Sequence, residues 1–145
     1  MSFYLEVISP EGKIYEGEVK KISVPAATGE LTILSKHIPL FTLLIMGELR
    51  IVDIKNKIHY FVIGKGIVEV KREKVILAIE DARHADKISE KKALAAKEEA
   101  EKIIATKPKG EELLTAKQAL RRSFIDLKVA RKRKKRPRLN QGLET

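Results

Sequence analysis

Along the first eighty residues, apolar side chains recur at every second position in short bursts. The bursts are Phe3 to Ile8, Glu18 to Val24, Glu48 to Ile54, Ile58 to Ile63, Ile67 to Arg72 and Val75 to Ile79. Turn residues separate them: Ser9-Pro10-Glu11-Gly12, Lys55-Asn56-Lys57, Gly64-Lys65-Gly66 and Glu73-Lys74. Lys13-Ile14-Tyr15, Leu31 to Leu34 and the apolar run Leu40 to Met46 add three more segments. Period-two alternation in Val- and Ile-rich stretches predicts an antiparallel sandwich or barrel. No helical period long enough to cross over between parallel strands interrupts it.

After residue 86 the alphabet changes. Ala, Glu, Lys, Leu and Ile dominate Ile88 to Ala105, a composition of strong helix formers, with Asp86 or Ser89 placed to cap its start. Ile88, Ala96, Ala100 and Ile103/Ile104 recur at helical steps. Thr106 to Gly110 supplies Pro and Gly punctuation, and a second helix is predicted from Glu111 to about Lys135. Its expected apolar stripe is Leu113, Ala116, Leu120, Phe124 and Leu127. A short connection implies an antiparallel hairpin. The fold class is therefore α+β: an all-β sandwich of about ten short strands over residues 1–86, a two-helix hairpin over 87–136, and a disordered tail over 137–145.

Charge sharpens this division. The 145 residues carry a net +10, but residues 1–86 hold 12 basic and 12 acidic side chains, so the whole excess lies beyond them. From Lys128 to Arg138, eight of eleven residues are Lys or Arg and none is acidic. Such a cluster asks for an acidic partner: nucleic acid, a membrane surface or a protein. A free-standing nucleic-acid-binding module is the alternative reading. Against it, Phe124 is the only aromatic residue after Phe61, which leaves single-strand stacking without its platform. The segment Met1 to Glu6 lacks a signal peptide's features, and the run Ile38 to Met46 is far shorter than the roughly 20 residues of a spanning helix, so a soluble, non-secreted chain is expected.

Catalytic constellations are missing from the pattern. There is no cysteine, which excludes thiolate metal sites and a cysteine nucleophile. His37, His59 and His84 have no zinc-motif spacing, and Gly64-Lys65-Gly66 lacks the Walker pattern and a following helix. Asp53, Glu69, Glu80 and Asp81 fall on strands or turns, where alternation turns most of them to solvent. No enzyme, metal or cofactor is expected.

One segment is more specific. Gly29-Glu30-Leu31-Thr32-Ile33-Leu34-Ser35-Lys36-His37-Ile38-Pro39-Leu40 closely resembles a signature of the epsilon subunit of rotary F-type ATP synthases, the delta subunit in mitochondria. Ser9-Pro10-Glu11-Gly12, Gly47-Glu48-Leu49-Arg50-Ile51 and Gly64-Lys65-Gly66-Ile67-Val68-Glu69-Val70 resemble three further stretches of that family in the same order, although Lys65 replaces a small residue. The resemblance covers about residues 3–130.

The resemblance implies a ten-stranded sandwich with a helical hairpin, acting as a non-catalytic rotor subunit. Its sandwich would bind the gamma shaft and rest on the c-ring, coupling ion flow to ATP synthesis. Thr28, Gly29, Glu30, Leu31, Ser35, His37 and Pro39 would lie at the ring contact. The hairpin, when extended, would reach the alpha and beta catalytic subunits and inhibit hydrolysis through Arg121, Arg122, Lys128, Arg131, Lys132, Arg133, Lys134 and Lys135. Some members bind ATP through an acid and an arginine at the start of the first helix. Here Ile88, Ser89, Lys92, Ala93 and Arg122 form the matching set. Ser89 replaces the acid and Lys92 the arginine, while Glu99 and Asp126 stand where arginines are usual. ATP is thus not expected as a regulatory ligand, nor is nucleic acid expected as a partner. The implied location is peripheral, on the cytoplasmic face of the bacterial inner membrane.

Overall fold

Inward–outward alternation builds nine strands: β1 (Phe3–Ser9), β2 (Gly12–Ala26), β3 (Gly29–Leu34), β4 (Leu40–Leu44), β5 (Gly47–Asp53), β6 (Ile58–Ile63), β7 (Gly66–Val70), β8 (Lys74–Ile79) and β9 (Ala82–His84). In the computed structural model the backbone is described for residues 1–143 and the side chains for residues 1–132. Contacts divide the chain into one unit, Met1–His84, and a second that begins at Ala85.

The first unit is a sandwich whose layers share one long strand. The beginning of β2 pairs with β1, Tyr15 opposite Val7 and Val19 opposite Phe3. Its later half pairs with β5, Ile22 opposite Ile51, and with β3, Ile22 opposite Ile33. One layer thus runs β4-β7-β8-β1-β2 and the other β3-β2-β5-β6-β9. Leu5, Val7, Ile22, Ile33, Leu49, Ile51, Val68 and Leu77 are fully buried between them. Gly66 makes the β7–β8 approach possible, because a Cβ there would run into the Ala78 carbonyl oxygen.

The sandwich and hairpin read from the sequence are what the chain forms, with two differences inside the sandwich. The strands number nine: Lys13-Ile14-Tyr15 and Glu18 to Val24 are one continuous strand, so Glu16-Gly17 makes no turn, and a short strand that pattern reading missed, Ala82–His84, closes the set. The sheet is also not wholly antiparallel: β1 and β8 pair in parallel, Leu5 opposite Val75 and Val7 opposite Leu77. These strands are far apart in sequence, so no tight turn dictates their direction.

In the second unit, a single 3-10 turn (Ala85–Lys87) precedes α1 (Glu90–Ala105) and α2 (Glu111–Leu143). Ser89 caps α1, its Oγ accepting from the Lys92 N–H at 3.2 Å. The Thr106 hydroxyl donates to the Ile103 carbonyl at 2.6 Å at the other end. Arg131 Nε donates to Glu90 Oε1 at 3.2 Å, which sets α2 antiparallel to α1.

Three expectations for this unit need correction. The buried face of α1 runs through Ala93 and Ala100, while Ala96 is exposed. On α2 the buried residues include Ala116, Ser123, Asp126, Leu127, Val129 and Ala130, whereas Phe124 is 51% exposed. Phe124 lies about a third of a turn from the centre of that buried face, beneath the Lys97 ammonium, 5.1 Å from the ring centroid. Finally, α2 continues past Lys135 to Leu143, through most of the 137–145 stretch expected to be disordered. Lys and Arg are strong helix formers, and Pro137 forfeits one hydrogen bond without ending the helix. Residues 144–145 lie outside the described residues.

Candidate interaction surface

The residues that the family resemblance assigns to a partner ring do not form one cluster. Thr28 to Leu31 run from the β2–β3 turn into the start of β3, and Ser35 to Pro39 follow its far end. Only Thr32 to Leu34 of β3 lie between them, a span of about 13 Å from Leu31 to Ser35.

At the turn, Gly29 adopts φ 128°, open to glycine and costly for any residue with a Cβ. It lets the chain reverse so that Glu30 stands opposite Pro25 and Leu31 opposite Val24. Leu31 packs on the core, whereas Thr28 and Glu30 are exposed. Arg50 of β5 reaches Glu30, its Nη2 donating to Oε1 at 2.7 Å, and its Nε lies 3.4 Å from Glu48 Oε1.

At the other end, Lys36 adopts φ 65° and the His37 N–H donates to the Leu34 carbonyl at 3.2 Å. His37 Nδ1 donates to the Ile38 carbonyl at 2.8 Å, and the Ser35 hydroxyl donates to the Ser2 carbonyl at 3.3 Å. This loop walls an open groove of about 1020 Å³, lined also by Tyr4, Glu18, Arg72 and Glu73. The Tyr4 hydroxyl donates to Glu16 Oε2 at 2.6 Å, and this bond raises its pKa. Lys13 in turn pairs with Glu16 at 2.8 Å, and the two donors hold the Glu16 carboxyl below its ordinary range.

Strand β4 joins the groove to the turn. Its end is tied to β2 by the Ala27 N–H on the Leu43 carbonyl (3.0 Å), and the Ile45 N–H that follows it binds the Pro25 carbonyl (2.9 Å). Phe41, 60% exposed, and Leu43, 61% exposed, point away from the core, with Ile38 and Ile45 beyond them. The pairing carries this surface across the layer: Leu43 stands opposite Ile67, Ile67 opposite Ala78, and Ala78 opposite Ile8. Four apolar residues therefore form one row on an outer sheet face, where alternation ordinarily places polar side chains. Pattern reading missed this row. The signal was present in Leu40 to Met46, whose one polar residue is Thr42; such a run has two apolar faces.

The hairpin carries a second candidate surface. Arg121, Arg122, Lys128 and Arg131 are exposed and Lys132 partly so. At about 100° per residue, Arg121, Lys128 and Lys132 share one line on α2 with Lys117; Arg131 flanks it, and Arg122 lies more than a quarter turn away. Arg131 is held by Glu90. The side chains of Arg133, Lys134 and Lys135 lie outside the described residues.

The structure gives the set resembling an ATP site other work. Ile88 and Ala93 are buried, and Ser89 is the α1 cap. Lys92 is exposed. Arg122 precedes Arg131, the partner of Glu90, by nine residues on α2, so it sits about 13 Å along the helix from the Ser89 end. These residues are not brought together.

Comparison with known proteins agrees with this architecture. The sequence family described as "ATP synthase, Delta/Epsilon chain, beta-sandwich domain" matches residues 2–85. The ATP synthase epsilon chain of Caldanaerobacter subterraneus subsp. tengcongensis is 38% identical over 132 residues, covering 90% of this chain and 95% of the relative. That of Herpetosiphon aurantiacus is 35% identical over 136 residues, covering 94% and 99%. Among solved structures, a chain of the Euglena gracilis mitochondrial ATP synthase superposes with a TM-score of 0.77 at 22% identity, covering 82% of this chain and 75% of that one.

Proposed function

The chain belongs to the delta/epsilon family of ATP synthase chains, and from that premise we propose that its sandwich is a rotor coupling piece and its hairpin a brake on hydrolysis. It is a non-catalytic subunit of the central stalk, and its complex is membrane-associated.

The observation that carries the coupling reading is the outer apolar row Leu43–Ile67–Ala78–Ile8, with Phe41 beside it. A contiguous apolar face on a small sandwich marks a protein–protein contact, and exposed aromatics are its usual anchors. Its occupant is the gamma shaft. The β2–β3 turn, with Thr28, Gly29, Glu30 and Leu31, meets the polar loops of the c-ring, and Ser35, His37 and Pro39 extend that joint along the groove. Residues 1–86 thus transmit rotation driven by ions crossing the ring.

Residues 87–136 regulate. When extended, the hairpin lays its Lys117–Arg121–Lys128 line against acidic segments of the alpha and beta subunits, and this differential contact holds the inhibited state. ATP plays no part in that equilibrium, because Ser89 is used as a cap, Ile88 and Ala93 are buried, and the exposed Lys92 and Arg122 are not brought together. In the cell the subunit lies at the cytoplasmic face of a bacterial plasma membrane, held there by its complex.

The test is ATP hydrolysis by the purified synthase carrying either the full chain or one ending at Thr106. A clear rise on truncation supports the brake. An unchanged rate with the subunit still bound refutes it and leaves coupling alone.

A further inference from the structure

Glu30 is mostly exposed at the turn, yet its carboxylate is not loose. Arg50 stands opposite Ser23, Ser23 opposite Thr32, and Glu30 opposite Pro25, so the guanidinium reaches diagonally over β2 to bond the carboxylate at 2.7 Å. Behind it, Arg50 Nε lies 3.4 Å from Glu48, whose side chain is only 11% exposed. The guanidinium is thus anchored at its buried edge and offers its outer edge to Glu30, with side-chain exposure rising from 11% at Glu48 through 27% at Arg50 to 64% at Glu30.

An ion pair this exposed contributes little to folding, since solvent screens it. Its effect is on geometry. A free glutamate samples many rotamers and must give them up on binding, whereas one held by a rigid planar fork is already placed.

Resting on the ring contact read above, we propose that Arg50 is a positioning residue of the rotor joint, holding the Glu30 carboxylate in the orientation that the ring's loop receives. Arg50 does not touch the ring; it acts through Glu30.

The experiment measures binding of the full chain to synthase stripped of its own copy, at low salt, for wild type, Glu30→Gln, Arg50→Gln, the double variant and Arg50→Lys, with melting curves for each. Both single variants are expected to weaken binding by about fivefold to tenfold. The double variant binds no more weakly than Glu30→Gln alone, Arg50→Lys falls between wild type and Arg50→Gln, and melting is unchanged for Glu30→Gln. If Arg50→Gln melts early, Arg50→Gln combined with Glu48→Gln removes the neighbouring negative charge as well and takes its place in the series. Wild-type binding by the Arg50 variants alongside a loss for Glu30→Gln overturns the positioning role alone, as do losses that multiply in the double variant. Wild-type binding by Glu30→Gln overturns the ring contact of this residue and, with it, the role of Arg50.

Discussion

His59 Nε2 lies 3.0 Å from Asp53 Oδ2 and donates to it, closing the β5–β6 hairpin from the side-chain level. The other oxygen of Asp53 accepts the Lys55 and Lys57 N–H groups at 2.8 and 3.0 Å. Burial opposes the charge on Asp53, but the His59 bond and the two backbone donors outweigh it, and the carboxyl titrates below its ordinary value.

A group with a depressed folded pKa contributes stability that is fully present above its unfolded pKa and lost as pH falls through the folded one. The melting temperature is therefore expected to drop between about pH 5 and about pH 2, with Asp53→Asn showing a flatter profile over that window. Asp53→Ala, which leaves the two exposed turn N–H groups to water, costs about 1 kcal/mol at neutral pH. A wild-type profile in Asp53→Asn removes this carboxylate from the acid response.

The apolar row gives a sharper split between binding and folding. Phe41→Ser and Leu43→Ser each remove an exposed anchor, so affinity for a gamma subunit is expected to fall by about 2 kcal/mol, roughly thirtyfold, while the free chain melts as before. Titration calorimetry paired with thermal melting reads both quantities. Undiminished affinity in both variants assigns the shaft to another face.

For the hairpin, charge reversal isolates the grip from the rest of the helix. Arg121→Glu with Lys128→Glu leaves the buried face of Ala116, Ser123 and Leu127 untouched. In the assembled synthase it is expected to raise hydrolysis toward the rate of the Thr106 truncation, and raised ionic strength is expected to do part of the same to the wild type. A rate equal to wild type assigns inhibition to contacts other than this basic line.

At the start of α1, Ser89→Ala removes the cap and is expected to destabilise the hairpin by about 1 kcal/mol, measured as lost helicity on heating. Calorimetry of the full chain with ATP is expected to show no binding in the millimolar range. A measurable affinity, lost in Arg122→Gln, reverses that expectation.

Much of the architecture was legible because it rests on local rules. Alternation in Glu48 to Ile54 delivers a strand with Leu49 and Ile51 buried, and the Pro108–Gly110 break delivers the hairpin. What escaped was set by distant partners. Glu16-Gly17 sits within β2 because β1 offers it a continuous ladder, and the parallel β1–β8 pairing joins segments some 70 residues apart. Phe124 shares a stripe with Leu120 and Leu127 by helical phase, but the buried face of α2, with Ser123, Asp126, Leu127 and Ala130, is centred about a third of a turn away, and only the position of α1 decides which stripe is covered. The same holds for the surface: Glu30 was visible as a polar handle in a signature, but Arg50, twenty residues on, becomes its partner only when β2 lies between them.

The shared strand has a mechanical consequence. Force applied at the β2–β3 turn enters Ala26 and travels down β2 through covalent bonds to Gly12, passing from one layer to the other without crossing a strand interface. Every neighbour then resists by sliding along its whole ladder, where hydrogen bonds share the stress, instead of peeling open one bond at a time. A body built this way resists tension along β2 with many bonds at once.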